Sequence, residues 1–203
     1  MKKDKYLQVK NDFLSGKIKG CKAYFEAHGY DVECAYADIV LGNLSKAEKR
    51  FQKTADVDTR AHWGLFLLQM LSGDIISAPT YFEIRNFLEV DLGILLTYCQ
   101  GNYIEKILKN VDYMAMYNLE CYKFIGRAFW AHNYMPAAMF YLRKACERMY
   151  KDPELHYLLA YINCYNIRNI EACKKELDTC LWILPEYGPA CMLKDKLKKE
   201  NLI

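Results

Sequence analysis

The most reactive side chains in this sequence belong to nine cysteines and four histidines. The histidines (His28, His62, His132 and His156) form no HExxH motif and lie at no zinc-type spacing from a cysteine. The cysteines form no CxxC pair, and their odd number argues against a disulfide scaffold. Six of them occupy helix positions suited to small core residues: Cys21, Cys34, Cys121, Cys146, Cys173 and Cys180. The sequence therefore predicts a reducing compartment and neither a metal nor a cofactor.

Motifs for phosphate binding and for nucleophilic catalysis do not occur either. The glycines recur singly at turns and form no GxGxxG, GxxxxGK[ST] or GxSxG motif. A catalytic thiol needs an electropositive, partly exposed setting, whereas most of these cysteines are expected to be buried. We therefore predict that the protein is not an enzyme. A thiol- or metal-dependent enzyme is the alternative that thiol labelling and metal analysis would reveal.

The charge pattern bears on the class of partner and on the compartment. A formal net charge of +3 is too small to predict direct contact with nucleic acid or an anionic membrane, and the basic runs lie at the two ends, Lys2 to Lys5 and Lys194 to Lys199. The first residues lack the apolar core of a signal peptide. Charged residues interrupt every apolar stretch before it reaches membrane-spanning length. We expect a soluble, cytoplasmic protein.

The elements that must position these side chains follow from an internal repeat. Six segments align, with starts separated by 26, 31, 28, 31 and 36 residues: Gly16, Gly42, Gly73, Gly101, His132 and Arg168. Each start follows an apolar helical stretch and precedes another, which indicates a helix, a tight Gly or Asn turn and a second helix. Gly and Asn suit such turns because they adopt the left-handed conformation at little cost.

A contact pair recurs within the second helix of each copy. The fifth position after the start is small in five copies: Cys21, Ala47, Ala78, Ala137 and Cys173. The ninth is large and apolar in the same copies: Phe25, Phe51, Phe82, Tyr141 and Leu177. Residues four apart share a helix face, so this pair predicts close helix packing. The fourth copy has Lys106 and Asn110 instead, and its apolar face is expected to shift to Ile104, Ile107 and Leu108.

Hydrophobic periodicity and the helix-stop signals together predict an all-α chain without strands. The helices are expected near residues 4–14, 17–28, 31–41, 44–55, 58–72, 75–88, 90–100, 103–114, 118–131, 134–151, 154–165, 169–183 and 187–200. Asp56 to Asp58, Asp152-Pro153 and Pro185 mark boundaries between them. We expect a single domain over residues 1–203.

The repeat unit resembles the tetratricopeptide repeat, with the closest match over residues 119–185. In the fifth copy the family's characteristic slots hold Tyr122, Ile125, Gly126, Phe129, Tyr134, Ala138, Leu142 and Ala145. The resemblance implies a right-handed α-solenoid of antiparallel hairpins, here about six repeats and a C-terminal capping helix with Tyr187, Ala190, Cys191, Leu193 and Leu197 turned inward. It also implies a concave groove that binds segments of other proteins, as stacked hairpins leave one curved face open.

The family's groove positions fall on eight residues of this chain: Tyr36, Trp63, Leu67, Tyr98, Lys123, Arg127, Trp130 and Asn163. Lys123 and Arg127, one turn apart, are suited to binding a peptide carboxylate, and the alternative is that they form a solvated charged face. For Trp63 and Trp130 the alternative is packing between helices. The predicted function is an adaptor, scaffold or chaperone-like module that binds a partner segment. The alternative is an accessory subunit of a larger, nucleic-acid-associated assembly. The sequence indicates no oligomeric state.

Overall fold

The structure is a computed structural model that describes residues 2–73 and 79–203. Within these residues the regular structure is helical throughout and contains no strand, which confirms the predicted all-α class. No helix in this part of the chain has the length and apolar character needed to cross a membrane. The chain divides into two compact units, Met1–Tyr117 and Asn118–Ile203.

The first unit consists of short helices and one π-helical segment. Their bounds are α1 (Lys2–Leu14), α2 (Cys21–Ala27), α3 (Asp31–Val40), α4 (Leu44–Thr54), α5 (Thr59–Ser72), α6 (Tyr81–Arg85), π1 (Asn86–Asp91), α7 (Leu92–Thr97), α8 (Gly101–Lys109) and α9 (Val111–Met114). Consecutive helices from α1 to α5 pack against one another, and α5 also packs against α8.

The second unit contains two helical hairpins followed by a terminal helix. Its elements are α10 (Cys121–Ala131), α11 (Met135–Arg148), α12 (Pro153–Ile162), π2 (Asn163–Ile167), α13 (Ile170–Ile183) and α14 (Gly188–Lys199). The helices pack as the pairs α10 with α11 and α12 with α13, and α14 packs against α13 and α12.

Helix boundaries form where the sequence offers caps. The Asp58 carboxylate accepts a hydrogen bond from the Arg60 backbone N–H at the start of α5, and Asp152 accepts from the N–H groups of Glu154 and Leu155 at the start of α12. Such caps satisfy backbone donors that have no partner within the helix. The boundaries predicted at these aspartates are confirmed.

Turn residues in the left-handed region separate most of the helices. Gly42 has a φ of 79°, and Asn133 and Arg168 take the same role in the fifth and sixth copies with φ values of 62° and 60°. The prediction is wrong in detail at the fourth copy, where Cys99 adopts the positive φ of 52° and Gly101 begins α8 instead. The turn lies two residues earlier there because α7 already ends at Thr97.

The predicted contact pair is confirmed in three copies, where both members are buried: Cys21 with Phe25, Ala47 with Phe51, and Cys173 with Leu177. The Phe51 ring lies directly against Gly64 of α5, where a Cβ atom would be only 2.4 Å from Cζ of the ring. A small residue therefore lets α4 and α5 approach closely. In the fourth copy, Ile107 is buried as the shifted face predicts.

The third copy departs from the predicted hairpin. Ala78 lies outside the described residues, and Phe82 is 66% exposed rather than packed against a neighbouring helix. The helix begins at Tyr81 with a capping box in which Thr80 and Glu83 bond each other's backbone N–H. This start turns a different set of side chains into the core: Ile84, Phe87 and Leu88.

The boundary predicted between residues 88 and 90 is also wrong. Helical structure continues without a break from Tyr81 to Thr97, through the π-helical segment π1. The π1 segment has no proline or glycine to stop it, and the Asn86 amide donates to Asp91 Oδ2 at 3.0 Å across its length. The extra residue per turn that a π-helix accommodates keeps the chain continuous, and such segments are frequent at functional sites.

In the fifth copy the buried pair lies one residue later than the contact pattern predicts. Ala137 and Tyr141 are half-buried, whereas Ala138 and Leu142, assigned to the family slots, are buried. A Cβ atom on Gly126 would lie 2.6 Å from Leu142 Cγ. The helices α10 and α11 therefore approach closely at Gly126, and the face of α11 that packs there is the one that carries Leu142. Of the eight slot residues, all but the exposed Tyr134 are buried.

The terminal helix α14 turns the expected apolar residues inward. Ala190, Leu193 and Leu197 are buried and pack in one cluster with residues of α12 and α13, such as Ala160 and Leu177. Tyr187 and Cys191 are half-buried. This cluster holds α14 beside α12, which positions the groove described below.

Candidate functional site

The first unit encloses a cavity of about 230 Å³. Helix α1 contributes Lys10, Phe13 and Leu14, and α3 contributes Glu33 and Tyr36. Because these residues are three or four apart within each helix, they lie on one helix face. The two helices thus form one side of the cavity.

The other side comes from α5 and from the helix that contains π1. Arg60 and Trp63 line it from α5, Asn86 and Val90 from π1, and Ile94 from α7. Four segments that are distant in sequence therefore meet around one space, which is referred to below as the first-unit cavity.

A buried carboxylate organises the polar end of the first-unit cavity. Glu33 Oε1 accepts hydrogen bonds from Arg60 Nη1 and from the Tyr6 hydroxyl, both at 2.8 Å. Lys10 Nζ lies 3.6 Å from the same oxygen. Burial alone would raise the pKa of Glu33, but the bonds from Arg60 and Tyr6 outweigh it and hold this pKa below its usual value. Burial, together with the bond to Glu33, raises the pKa of Tyr6 to about 12.

A second buried carboxylate lies behind the cavity wall. Asp91 is fully enclosed, and the Asn86 amide donates a hydrogen bond to its Oδ2 at 3.0 Å. Burial raises the pKa of Asp91 to about 7, although the neighbouring Tyr36 hydroxyl, the Asn86 amide and the charge of Arg60 oppose the shift. Burial also raises the pKa of Tyr36 well above its usual value. The guanidinium carbon of Arg60 lies 5.5 Å from the centre of the Tyr36 ring.

The four groove residues predicted in the first unit have different surroundings. Tyr36 and Trp63 line the first-unit cavity. Tyr98 stands behind it: its ring lies 5.3 Å from the Phe13 ring, and its hydroxyl donates to the Phe13 carbonyl at 2.7 Å. Leu67 is a buried core residue.

In the second unit, the two predicted cations hold carboxylates of the chain itself. Lys123 Nζ lies 2.7 Å from Asp152 Oδ2 and 2.6 Å from Glu120 Oε1. Glu154 bridges both cations, at 3.2 Å from Lys123 Nζ and 3.1 Å from Arg127 Nη1. Burial would lower the pKa of Lys123, but the bonds to Asp152 and Glu120 raise it above its usual value. The pair thereby fixes the start of α12.

An aromatic groove runs between α12 and α14. Tyr157, Tyr161 and Tyr165, each four residues after the last, line one side of it. The side from α14 consists of Pro189, Met192, Leu193 and Lys196. The groove has a volume of about 300 Å³ and is referred to below as the tyrosine groove.

Ring contacts order the tyrosine groove. Tyr161 lies 6.1 Å from Tyr157 and 4.7 Å from Tyr165, measured between ring centres. Lys196 Nζ lies 4.8 Å from the centre of the Tyr165 ring, and the proximity of Tyr165 raises the pKa of Lys196. Met192 is 75% exposed, so large side chains of both helices remain open to solvent.

The remaining two predicted groove residues lie beside this row of tyrosines. The Trp130 ring packs edge-on against Tyr161 at 5.6 Å, and its indole N–H donates to Asn166 Oδ1 at 3.3 Å. Asn163 is buried, and its amide donates to the Leu159 carbonyl at 2.9 Å. Trp130 therefore packs against a groove tyrosine without lining the groove itself, while Asn163 bonds back to the preceding turn of α12.

The reactive side chains form no metal site within the part of the chain that the structure describes. In residues 2–73 and 79–203, no group of three or more His, Cys, Asp or Glu side chains is arranged to hold a metal ion. All nine cysteines are free thiols, and burial raises the pKa of several, such as Cys121 and Cys173, to about 12. A raised pKa leaves little thiolate at neutral pH, which makes these thiols poor nucleophiles.

Sequence reasoning missed the residues that line the tyrosine groove, although a signal was present. Tyr157, Tyr161 and Tyr165 follow one another at four-residue spacing inside a helix expected over residues 154–165. A row of large amphipathic side chains on one helix face is a known feature of binding surfaces. By contrast, the residues near Glu33 in the sequence do not indicate that it belongs to a site, because its partners Tyr6 and Arg60 are each 27 residues away.

Comparison of the chain with protein-family models, with curated proteins and with solved structures finds no match. The structure defines an all-α protein with a polar-mouthed cavity in one unit and an aromatic groove in the other.

Proposed function

We propose that the chain is a non-enzymatic interaction module whose second unit binds a segment of a partner protein in the tyrosine groove. The observation that carries this proposal is the row of Tyr157, Tyr161 and Tyr165 facing the exposed Met192 across the groove. Tyrosine and methionine are enriched where proteins meet, and tyrosine provides a large contact area for a small loss of side-chain entropy. The groove thus offers apolar surface that a partner's side chains can bury.

The charge of the groove selects the partner's chemistry. The second unit contains thirteen Lys and Arg residues against ten Asp and Glu. Lys196 places one of these positive charges directly over Tyr165. A partner segment with aromatic or aliphatic side chains next to an aspartate or glutamate would bury its apolar groups against the tyrosines and pair its carboxylate with Lys196.

In this proposal Lys123 and Arg127 act indirectly. Their nearest anions are Asp152 and Glu154, which stand at the first turn of α12. By fixing that turn they hold the row of tyrosines that follows on the same helix. Their role is to position the groove rather than to bind a carboxylate of the partner.

The proposal also assigns the chain a tetratricopeptide-like architecture, with hairpins stacked in a right-handed α-solenoid. Burial of the slot residues, among them Tyr122, Gly126 and Ala138, supports this assignment. The nine free thiols support a reducing compartment such as the cytoplasm. A module of this kind acts as an adaptor, a scaffold or a chaperone-like protein.

The proposal is tested by selecting peptides from a random display library with the full-length chain and measuring the affinity of the best one. Tyr161→Ala should weaken binding by about tenfold or more, equivalent to at least ~1.4 kcal/mol, since it removes the central ring of the groove. Lys196→Glu should weaken the binding of acidic peptides.

Trp182→Ala is the matched control for this experiment, because Trp182 is an equally large apolar side chain of the same unit, 71% exposed on α13. It should leave the affinity unchanged. The proposal would be overturned if the library selection enriched no peptide sequence. It would also be overturned if Tyr161→Ala bound the selected peptide as tightly as the unmodified chain does. Binding to RNA or DNA that weakens steeply with salt would instead favour an accessory subunit of a nucleic-acid-associated assembly.

A further inference from the structure

The first-unit cavity combines an aromatic interior with a charged mouth. Phe13, Tyr36 and Ile94 are buried and form its interior, and the half-buried Trp63 adds a third aromatic side chain. Aromatic walls favour a planar ring, which they contact edge-on or by offset stacking. The volume of about 230 Å³ exceeds the ~150 Å³ that accommodates benzene in an apolar cavity, so one ring with a short substituent fits.

The mouth carries an excess of positive charge. Lys10 and Arg60 both approach the same oxygen of Glu33, at 3.6 and 2.8 Å, and their side chains are about one-third exposed. Two cations therefore share one carboxylate where the cavity meets solvent. Arg60 bonds Glu33 through Nη1, and a guanidinium has five N–H donors in all. A second carboxylate at the mouth would balance the charge and form charge-assisted hydrogen bonds.

From these two features we infer that the first-unit cavity is a binding site for a monocyclic aromatic carboxylate. The ring lies among Phe13, Tyr36 and Trp63, and the carboxylate meets Lys10 and Arg60 at the mouth. The Arg60 guanidinium carbon lies 5.5 Å from the centre of the Tyr36 ring, so a short spacer between ring and carboxylate is expected. The site does not depend on the tyrosine groove, and it gives the first unit a ligand-binding role of its own.

The test uses the full-length chain and two probes of nearly equal shape, phenylacetate and its neutral analogue phenylacetamide. Saturation-transfer NMR titrations give the two dissociation constants. Phenylacetate should bind about tenfold more tightly than phenylacetamide, because only the carboxylate gains charge-assisted bonds. Lys10→Gln, which removes one of the two cations at the mouth, should reduce this preference several-fold.

A blocking variant and a matched control locate the site. Val90 lies at the mouth and is partly exposed, so Val90→Trp covers the entrance without disturbing the core. It should weaken phenylacetate binding by about tenfold or more. Val57→Trp introduces the same side chain at a position that is 88% exposed and does not line the cavity, and it should leave phenylacetate binding unchanged.

Three results would overturn the inference. They are absence of phenylacetate binding up to about 10 mM, equal affinities for the acid and the amide, and unchanged binding in Val90→Trp. A thermal melt of each variant shows that it is folded. A failure here leaves the peptide-binding proposal untouched, because that experiment reports on the tyrosine groove alone.

Discussion

Replacing Gly64 by alanine should destabilise the first unit, although alanine is the better helix former. A Cβ atom at this position would lie 2.4, 2.5 and 2.6 Å from Cζ, Cε2 and Cε1 of the Phe51 ring. The ring is fully buried and packs edge-on against Tyr36 at 5.4 Å, so it cannot move aside without opening the core. The new methyl group must therefore displace a helix or strain the ring.

The size of the effect follows from two opposing contributions. Overpacking a core costs about 1–3 kcal/mol, and contacts this short belong in the upper half of that range. The gain in helix propensity from glycine to alanine is about 1 kcal/mol. We therefore expect Gly64→Ala to lower the free energy of unfolding by about 1–2 kcal/mol.

Urea denaturation followed by circular dichroism measures this change. Gly101→Ala is the matched control, because a Cβ atom at Gly101 meets nothing within 4 Å. It should be neutral or slightly stabilising. Adding Phe51→Leu to Gly64→Ala should cost less than the sum of the single changes, since the smaller side chain relieves the clash. A Gly64→Ala variant as stable as the unmodified chain would refute the close approach of α4 and α5.

Three further predictions concern buried charges. Burial raises the pKa of Asp91 to about 7, so the stability linked to its protonated form is present at low pH and lost as the pH rises through 7. Because deprotonation of His156 also lowers the stability as the pH rises, Asp91→Asn should reduce, and not abolish, the difference in melting temperature between pH 5 and pH 8. An unchanged difference would contradict this prediction. Burial would lower the pKa of His156, but the hydrogen bond to Glu176 raises it above its usual value. The stability that this bond provides should therefore be lost as the pH rises past the pKa of His156 in the folded state. An NMR titration of the His156 ring should show deprotonation at a higher pH than that of an ordinary histidine, and Glu176→Gln should abolish this shift. Lys123→Met leaves the half-buried carboxylates of Glu120 and Asp152 without their cation and should cost about 2 kcal/mol in urea unfolding, less than the loss of a fully buried partner because water reaches these groups. A loss below about 1 kcal/mol would contradict this arrangement.

Local signals in the sequence were sufficient for most of the helices. Asp58 and Asp152 bond the free backbone N–H groups at helix starts, and Gly42 turns the chain in a conformation that few residues adopt. These interactions involve neighbours along the chain, so the residue type alone predicts them. The same holds for Ala47 and Phe51, whose spacing places both on one helix face.

The third copy was predicted wrongly for two reasons: the Thr80-x-x-Glu83 capping box, a local signal, was not used, and the π segment departs from the α-helical period. The capping box at Thr80 and Glu83 moved the helix start, and Phe82 became exposed as a result. The bond from Asn86 to Asp91 then favoured continuation through π1 over a break. A periodicity argument assumes one helical pitch and cannot anticipate a change of pitch.

The sequence identified some aromatic residues of the candidate sites but not the charged residues beside them. Tyr36 and Trp63 were identified, but Glu33 and Lys10 come from other turns and helices, and only folding brings their charges together. Lys123 was expected to be available to a ligand, yet it bonds the carboxylate of Asp152, which lies 29 residues away in the sequence. Residue spacing along a helix does not reveal a partner at that separation.

The most direct test of the proposed function is an NMR titration of the full-length chain, labelled at its methionine methyl groups, with the best selected peptide. Met192, 75% exposed on the tyrosine groove, should shift or broaden as peptide is added. Met116, 77% exposed on the other unit, provides the internal control and should remain unchanged. An unperturbed Met192 resonance at saturating peptide, or equal shifts of both methyl groups, would contradict the assignment of the tyrosine groove as the binding surface.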